Sequence, residues 1–266
     1  MTKKELLDRC ARDGEERILL ARVLDKLELA QGRGVPAHTP FLSPGQRAAV
    51  ADLLNAWGRP RCLFWGGYPD SERQICMFPA DWQEEDDLPA DPEGPLAAIE
   101  AKFPADAPLA HRDILGSLMG LGISRELIGD ILLPQPGLCQ VVVLGESLPI
   151  LLSQWEGAGR YQARLSEIPL DRLTPSPAQV KTIRDTVATP RLDAVAAAGF
   201  SLSRSKAAAL IAAGKVSLNH RECLKADRPV SEGDTLTCRG LGKCVIKEVL
   251  GQSKKGRTML VIERYV

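Results

Sequence analysis

The stretch Ser203–Asn219, SRSKAAALIAAGKVSLN, constrains the fold more than any other part of the chain. Ala207, Leu210 and Ile211 recur at helical spacing and predict a short helix that starts near Ser203 and stops at Gly214. Beyond the stop, Val216 and Leu218 alternate with Lys215, Ser217 and Asn219, the pattern of a strand with one buried and one wet face. A first short helix is expected over Arg191–Ala198, with Leu192, Val195 and Ala196 as its apolar positions and Asp193 near its start. Asn219-His220-Arg221 and Glu232–Asp234 read as turns, and TLTCRG as the next strand. KCVIKEVLG and RTMLVIERYV predict paired strands joined by QSKKG.

The helix that begins at Ser203 carries its charges in an odd place. Arg204 and Lys206 lie in the first turn, where the positive end of the helix dipole disfavours each cation by roughly 0.3–1 kcal/mol. An anion reverses that sign. The Ser203 hydroxyl, the free first-turn N–H groups and the two cations together suit a phosphate oxygen. Lys254, Lys255 and Arg257 place three more positive charges near one hairpin tip, an extension of the same basic surface. Net charge is zero over the whole chain, but residues 189–266 hold 14 basic and 7 acidic side chains, and residues 1–188 hold 20 and 27. A basic module that meets a polyanion is therefore carried by an acidic body.

That body predicts a helical unit to about Gly58, from the stripe Leu20, Val23, Leu24 and Leu27 and from the Ser43-Pro44 helix start. A hairpin over RCLFWGG and RQICMFP follows, then the acidic stretch DWQEEDDLPADPE, read as a solvated loop. Further on, strands are expected near LAAIEAKF, LCQVVVL and RYQARLSEI, and helices across HRDILGSLMGLG, from SRELIG and near ESLPILLSQW. The fold class is thus α+β and multidomain. LTPSPAQVK and Thr189-Pro190 mark the approach to a boundary. HRD at His111–Asp113 lacks the other kinase signatures and reads as a helix start, and Gly116 and Gly120 are expected to admit a close neighbour. Seven scattered cysteines and three dispersed histidines give no metal-ligand spacing, so no metal and no cofactor are expected. No apolar run is long enough to span a membrane and the N-terminus has no signal-peptide pattern, so a cytoplasmic location is expected.

FLSPGQ at Phe41–Gln46, WGGYPDSER at Trp65–Arg73 and HRDILGSLMGLGISRELIGDI resemble the YlmH family of bacterial RNA-binding proteins. That resemblance implies three parts: a helical N-terminal unit (1–58), a central α+β domain similar to an RNA-recognition-motif fold (59–175), and a C-terminal RNA-binding domain (189–266). The stretch from Arg191 to Leu236 resembles the alpha-L motif named for ribosomal protein S4. Carried onto this chain, it points to Arg191, Ser203, Arg204, Lys206, Lys215, Asn219 and Arg221 as RNA-binding positions. No aromatic stretch of the central domain matches a base-stacking motif, so no base-stacking residue is carried onto it, and its fold is expected to be borrowed without its usual binding surface.

The family implies a ribosome-associated, non-enzymatic role on rRNA and tRNA of the large subunit, in rescue of stalled nascent chains, with a possible protein partner on the acidic body. An RNA-modifying enzyme with the same module is the alternative. Against it, Arg191-Leu192-Asp193 opens the binding module rather than a pseudouridine synthase domain, and the GLG triplets at Gly120–Gly122 and Gly240–Gly242 do not form a methyltransferase cofactor loop. A protein-interaction adaptor with incidental RNA contact is the third possibility.

Overall fold

A computed structural model describes residues 2–91, 94–175, 180–253 and 256–265. The chain divides into two units, Met1–Ser176 and Pro177–Val266.

In the first unit, the helical start is two helices rather than one: α1 (Lys3–Cys10) and α2 (Gly14–Arg33), broken where Asp13 caps the second through the Glu16 amide. Helix α3 (Pro44–Trp57) starts where expected, with Ser43 and Gln46 forming a reciprocal capping box. Leu20, Val23, Leu24 and Leu27 of α2 meet Val50, Leu53 and Leu54 of α3 in one buried cluster. The expected hairpin is present as β2 (Leu63–Trp65) and β3 (Ile75–Phe78), and β3 also pairs with β1 (Ala37–His38). Cys76 and Phe78 pack into the helical cluster, so this sheet joins the helices across residue 59, where a boundary was expected.

The remainder of the unit runs β4 (Leu96–Lys102), α4 (His111–Gly120), β5 (Ile128–Gln135), β6 (Leu138–Leu144), α5 (Leu148–Gln154), the short pair β7 (Gly157–Ala158) and β8 (Tyr161–Gln162), and β9 (Arg164–Ile168). Its antiparallel sheet has the order β5-β6-β4-β9, a split βαββαβ arrangement of the RNA-recognition-motif type. One face packs Ile99, Val141 and Val143 against Ile114 and Leu118 of α4 and Leu151 of α5. The opposite face is also covered: Ala98, Val142 and Leu144 pack with Phe41, Ile75 and Met77. The sheet therefore packs an apolar cluster on each face among the described residues.

Three expectations are corrected here. SRELIG does not start a helix: Arg125–Leu127 make one 3-10 turn and Ile128 begins β5, whose Ile128 and Ile131 are buried in the sheet. Gly116 and Gly120 admit no neighbour, since a Cβ at either would meet nothing within 4 Å. The segment before Thr189 is not all linker, because β10 (Val180–Val187) belongs to the second unit. Asp113 does serve the start of α4, accepting the Ala110 amide at 2.8 Å. WGGYPDSER is fastened to the central domain by Asp130, whose carboxylate accepts the amides of Glu72 and Arg73 at 2.7 and 3.0 Å and the Tyr68 hydroxyl at 2.7 Å.

The second unit sets α6 (Leu192–Phe200) and α7 (Arg204–Ala212) against a six-stranded antiparallel sheet. Its strands are β10, β11 (Val216–Leu218), β12 (Arg221–Glu222), β13 (Thr235–Cys238), β14 (Gly242–Gln252) and β15 (Thr258–Tyr265), in the order β10-β15-β14-β13-β11-β12. Leu192, Val195, Ala207 and Ile211 meet Leu236, Cys244, Ile246 and Ile262 in its core.

Candidate nucleic-acid interface

The two helix starts of the second unit are built differently. At α6 the first-turn amides are consumed inside the protein: Leu192 donates to the Arg228 carbonyl at 2.8 Å and Asp193 to that of Ala226 at 2.9 Å. At α7, Ser203 is the N-cap and its Oγ accepts the Lys206 amide at 3.2 Å. The Arg204 and Ser205 amides have no acceptor among the described hydrogen bonds, and both residues are exposed. One helix end is closed and the other is open to an anion.

Asp193 ties the two ends together. It is 5% exposed, and such a carboxylate needs cationic or N–H partners. Arg204 Nε donates to its Oδ2 at 2.9 Å, and Arg191 Nε stands 3.3 Å from its Oδ1. Part of the answer to the misplaced cations is therefore internal, since the protein supplies Arg204 with its own counter-anion. The carboxylate also fixes two guanidinium groups from different helix starts side by side, with the Arg204 side chain still 57% exposed. Lys206 adds an exposed ammonium that forms no ion pair among the described residues. Two arginines against one buried carboxylate leave a net positive fork whose geometry suits phosphate.

The other expected positions separate from this group. Lys215 is exposed at the opposite end of α7, where its amide donates to the Leu210 carbonyl at 3.0 Å. Asn219 and His220 both have positive φ, 50° and 64°, and form the two-residue turn between β11 and β12. The Asn219 carboxamide is committed internally: Oδ1 accepts the Thr235 amide at 2.9 Å and Nδ2 donates to Asp234 Oδ1 at 2.7 Å. Arg221 sits half-buried in β12 beyond this turn. Arg257 is drawn onto β10, with Nε donating to Thr186 Oγ1 at 3.1 Å and Nη2 to the Thr186 carbonyl. Lys254 and Lys255 lie outside the described residues.

Among the described residues, no group of three or more His, Cys, Asp or Glu side chains is placed to hold a metal, and no helix is long and apolar enough to cross a membrane. The organising role of Asp193 is what the sequence concealed. Its only visible trace is an acidic residue in the first turn of one predicted helix and an unexplained cation at the start of the next.

Comparison with known proteins agrees with this division. Residues 190–236 match the S4 domain, residues 93–172 match a family described as "Putative RNA-binding domain in YlmH", and residues 15–78 match "YlmH, N-terminal". The class of protein defined by this fold and this interface is an α+β RNA-binding protein with a C-terminal S4 domain. More narrowly, the chain belongs to the YlmH family. It is 29% identical over 253 residues to "Ribosome-associated protein quality control protein P2" of Bacillus subtilis (strain 168), covering 94% of this chain and 95% of that one. The structure titled "Cell division protein ylmH from Streptococcus pneumoniae" shares the fold with a TM-score of 0.50 at 21% identity, over 62% of this chain and 98% of that one.

Proposed function

We propose that this protein is a non-enzymatic clamp that grips structured rRNA and tRNA on the ribosome, at the large subunit, during rescue of stalled nascent chains in the cytoplasm. The observation that carries the proposal is the open start of α7, where the Arg204 and Ser205 amides lack an acceptor among the described hydrogen bonds beside the Arg191–Arg204 pair on Asp193, with Lys206 exposed in the same turn. The quality-control name of the Bacillus relative supports the ribosomal setting. The three successive family matches support a three-part organisation, with the N-terminal part extending through β3. Ser203, Lys215, Asn219, Arg221, Lys254, Lys255 and Arg257 are the remaining positions proposed for RNA contact, with Asn219 and Arg257 acting through the backbone they hold.

The test is Arg204→Ala/Lys206→Ala. Co-sedimentation with large ribosomal subunits is expected to be lost while circular dichroism stays as in the parent and stability falls only by the Arg204–Asp193 contact, about 1–2 kcal/mol. Unchanged sedimentation contradicts the clamp. A new modified nucleoside in ribosomal RNA, dependent on the protein and detected by mass analysis, would favour the RNA-modifying alternative.

A protein partner on the acidic body is a second, compatible reading. It is favoured by a cavity of about 640 Å3 walled by Trp65 and Tyr68 and bordered by Glu167 and Asp171, a lining suited to a lysine- or arginine-bearing segment.

A further inference from the structure

A second group of cations gathers at one end of the C-terminal sheet, mostly beyond the residues that match the S4 domain. The turn between β13 and β14 brings it together. The Arg239 amide donates to the Lys215 carbonyl at 2.9 Å, and Leu241 closes the turn on the Cys238 carbonyl at 2.9 Å. Arg264 Nη2 reaches the Leu241 carbonyl at 3.4 Å. Lys243 is the register partner of Tyr265, and its Nζ lies 4.2 Å from the centre of that ring. The Arg264 guanidinium lies 5.8 Å from the centre of the Phe200 ring, and its buried Nε has no hydrogen-bond partner among the described residues.

Lys215, Arg239, Lys243 and Arg264 thus gather at one end of the sheet, Lys243 and Arg264 on its opposite faces, and none of them forms an ion pair among the described residues. The contrast with Arg191 and Arg204, which share the one carboxylate of Asp193, is chemical as well as positional. Like charges without ion-pair partners at one end of a sheet repel one another, and an incoming anion relieves that repulsion. Lys215 follows the end of α7 opposite the fork at Ser203, so α7 links the corner to that fork. At nine helical residues the two ends of α7 lie about 13 Å apart along its axis, so one folded RNA can reach both.

We infer that this corner is a second RNA-backbone site, with Arg239 and Lys243 contacting phosphate and Tyr265 acting as a positioning residue for Lys243. The inference rests on the proposed RNA-binding function and deepens it. An acidic protein surface is the other polyanion that could dock here; continuity with the α7 end favours RNA.

The experiment uses the full chain, purified large ribosomal subunits and protein-free large-subunit RNA, with affinities measured across about 50–200 mM potassium chloride. Arg239→Gln/Lys243→Gln is expected to lower the slope of log affinity on log salt by about 1.4–1.8, with binding at the upper salt weakened roughly 10- to 30-fold on both probes. Arg239→Lys/Lys243→Arg restores both values. Tyr265→Leu lowers the slope by less than the double variant, and Tyr265→Phe leaves it unchanged, a pattern a merely structural tyrosine would not give. A parental slope and affinity in the folded Gln variant overturn the inference, and so does a loss seen with subunits but not with naked RNA, which assigns the corner to a protein. Arg204→Ala/Lys206→Ala is measured beside it. If that variant weakens and the Arg239/Lys243 variant does not, only the second site fails; if neither weakens, the RNA-binding function fails with it.

Discussion

Asp193→Asn separates two consequences of the carboxylate that joins the helix starts. The substitution keeps the side-chain volume and removes the charge. Breaking a fully buried ion pair costs about 3–5 kcal/mol, but here the arginine side chains are 57% and 37% exposed and regain water. The loss falls nearer to that of a charge-assisted hydrogen bond discounted for screening, about 1–2 kcal/mol of stability in the C-terminal unit.

The effect on RNA is less obvious, because the variant gains a unit of positive charge. In water-like surroundings a carboxylate about 7 Å from a phosphate repels it by roughly 0.6 kcal/mol, so its removal alone strengthens binding slightly. Against that, two arginines no longer held must be ordered on binding, at roughly 0.5–1.5 kcal/mol each. The ordering term wins. The net expectation is a loss of about 0.5–2 kcal/mol, roughly 2- to 30-fold in affinity for large-subunit RNA at fixed salt. The assay is a fluorescence-anisotropy titration paired with thermal melting. Tighter RNA binding with an intact melt would refute the idea that Asp193 works by holding the arginines in place.

Two further outcomes follow from packing and thiol chemistry. Gly199→Ala places a methyl group 2.8 Å from Cys244 Sγ and is expected to destabilise the C-terminal unit by about 1–3 kcal/mol in a denaturant titration, whereas Gly116→Ala, facing open space, does not. In brief alkylation near neutral pH followed by peptide mass analysis, Cys62 is expected to label first, because a hydrogen bond from Cys76 holds its thiol below the ordinary range. Cys139 and Cys244, pushed up to about 12 by burial, are expected to label only on unfolding, and equal rates for the three would contradict the packing described.

Much of the C-terminal unit was legible because its signals are local. Ser203 as a cap, the Ala207–Ile211 stripe, the stop at Gly214 and the Asn219-His220 turn each depend on residues within a few positions of one another, and each lies in the structure where those patterns put it. Strand β10 escaped notice because Ile183 and Val187 are its main core contributors and lie four apart, a spacing that does not spell a strand. Its identity comes from a partner, β15, more than seventy residues away. The helix expected from SRELIG failed for a related reason: Ile128 and Ile131 follow the sheet's demand for buried apolar residues rather than the local cap.

Composition and periodicity alone settled that an acidic α+β body carries a basic two-helix module, since charge and short-range spacing are properties of the chain itself. Only tertiary structure decided which side chains and surfaces are already engaged inside the protein. Arg204 and Arg191 meet Asp193, Asn219 is used up on Asp234 and Thr235, Arg257 is drawn to Thr186, and the central sheet is covered on both faces. Each outcome depends on a partner brought near by packing, and electrostatic and hydrogen-bond energies depend on separations through space that residue spacing along the chain does not encode.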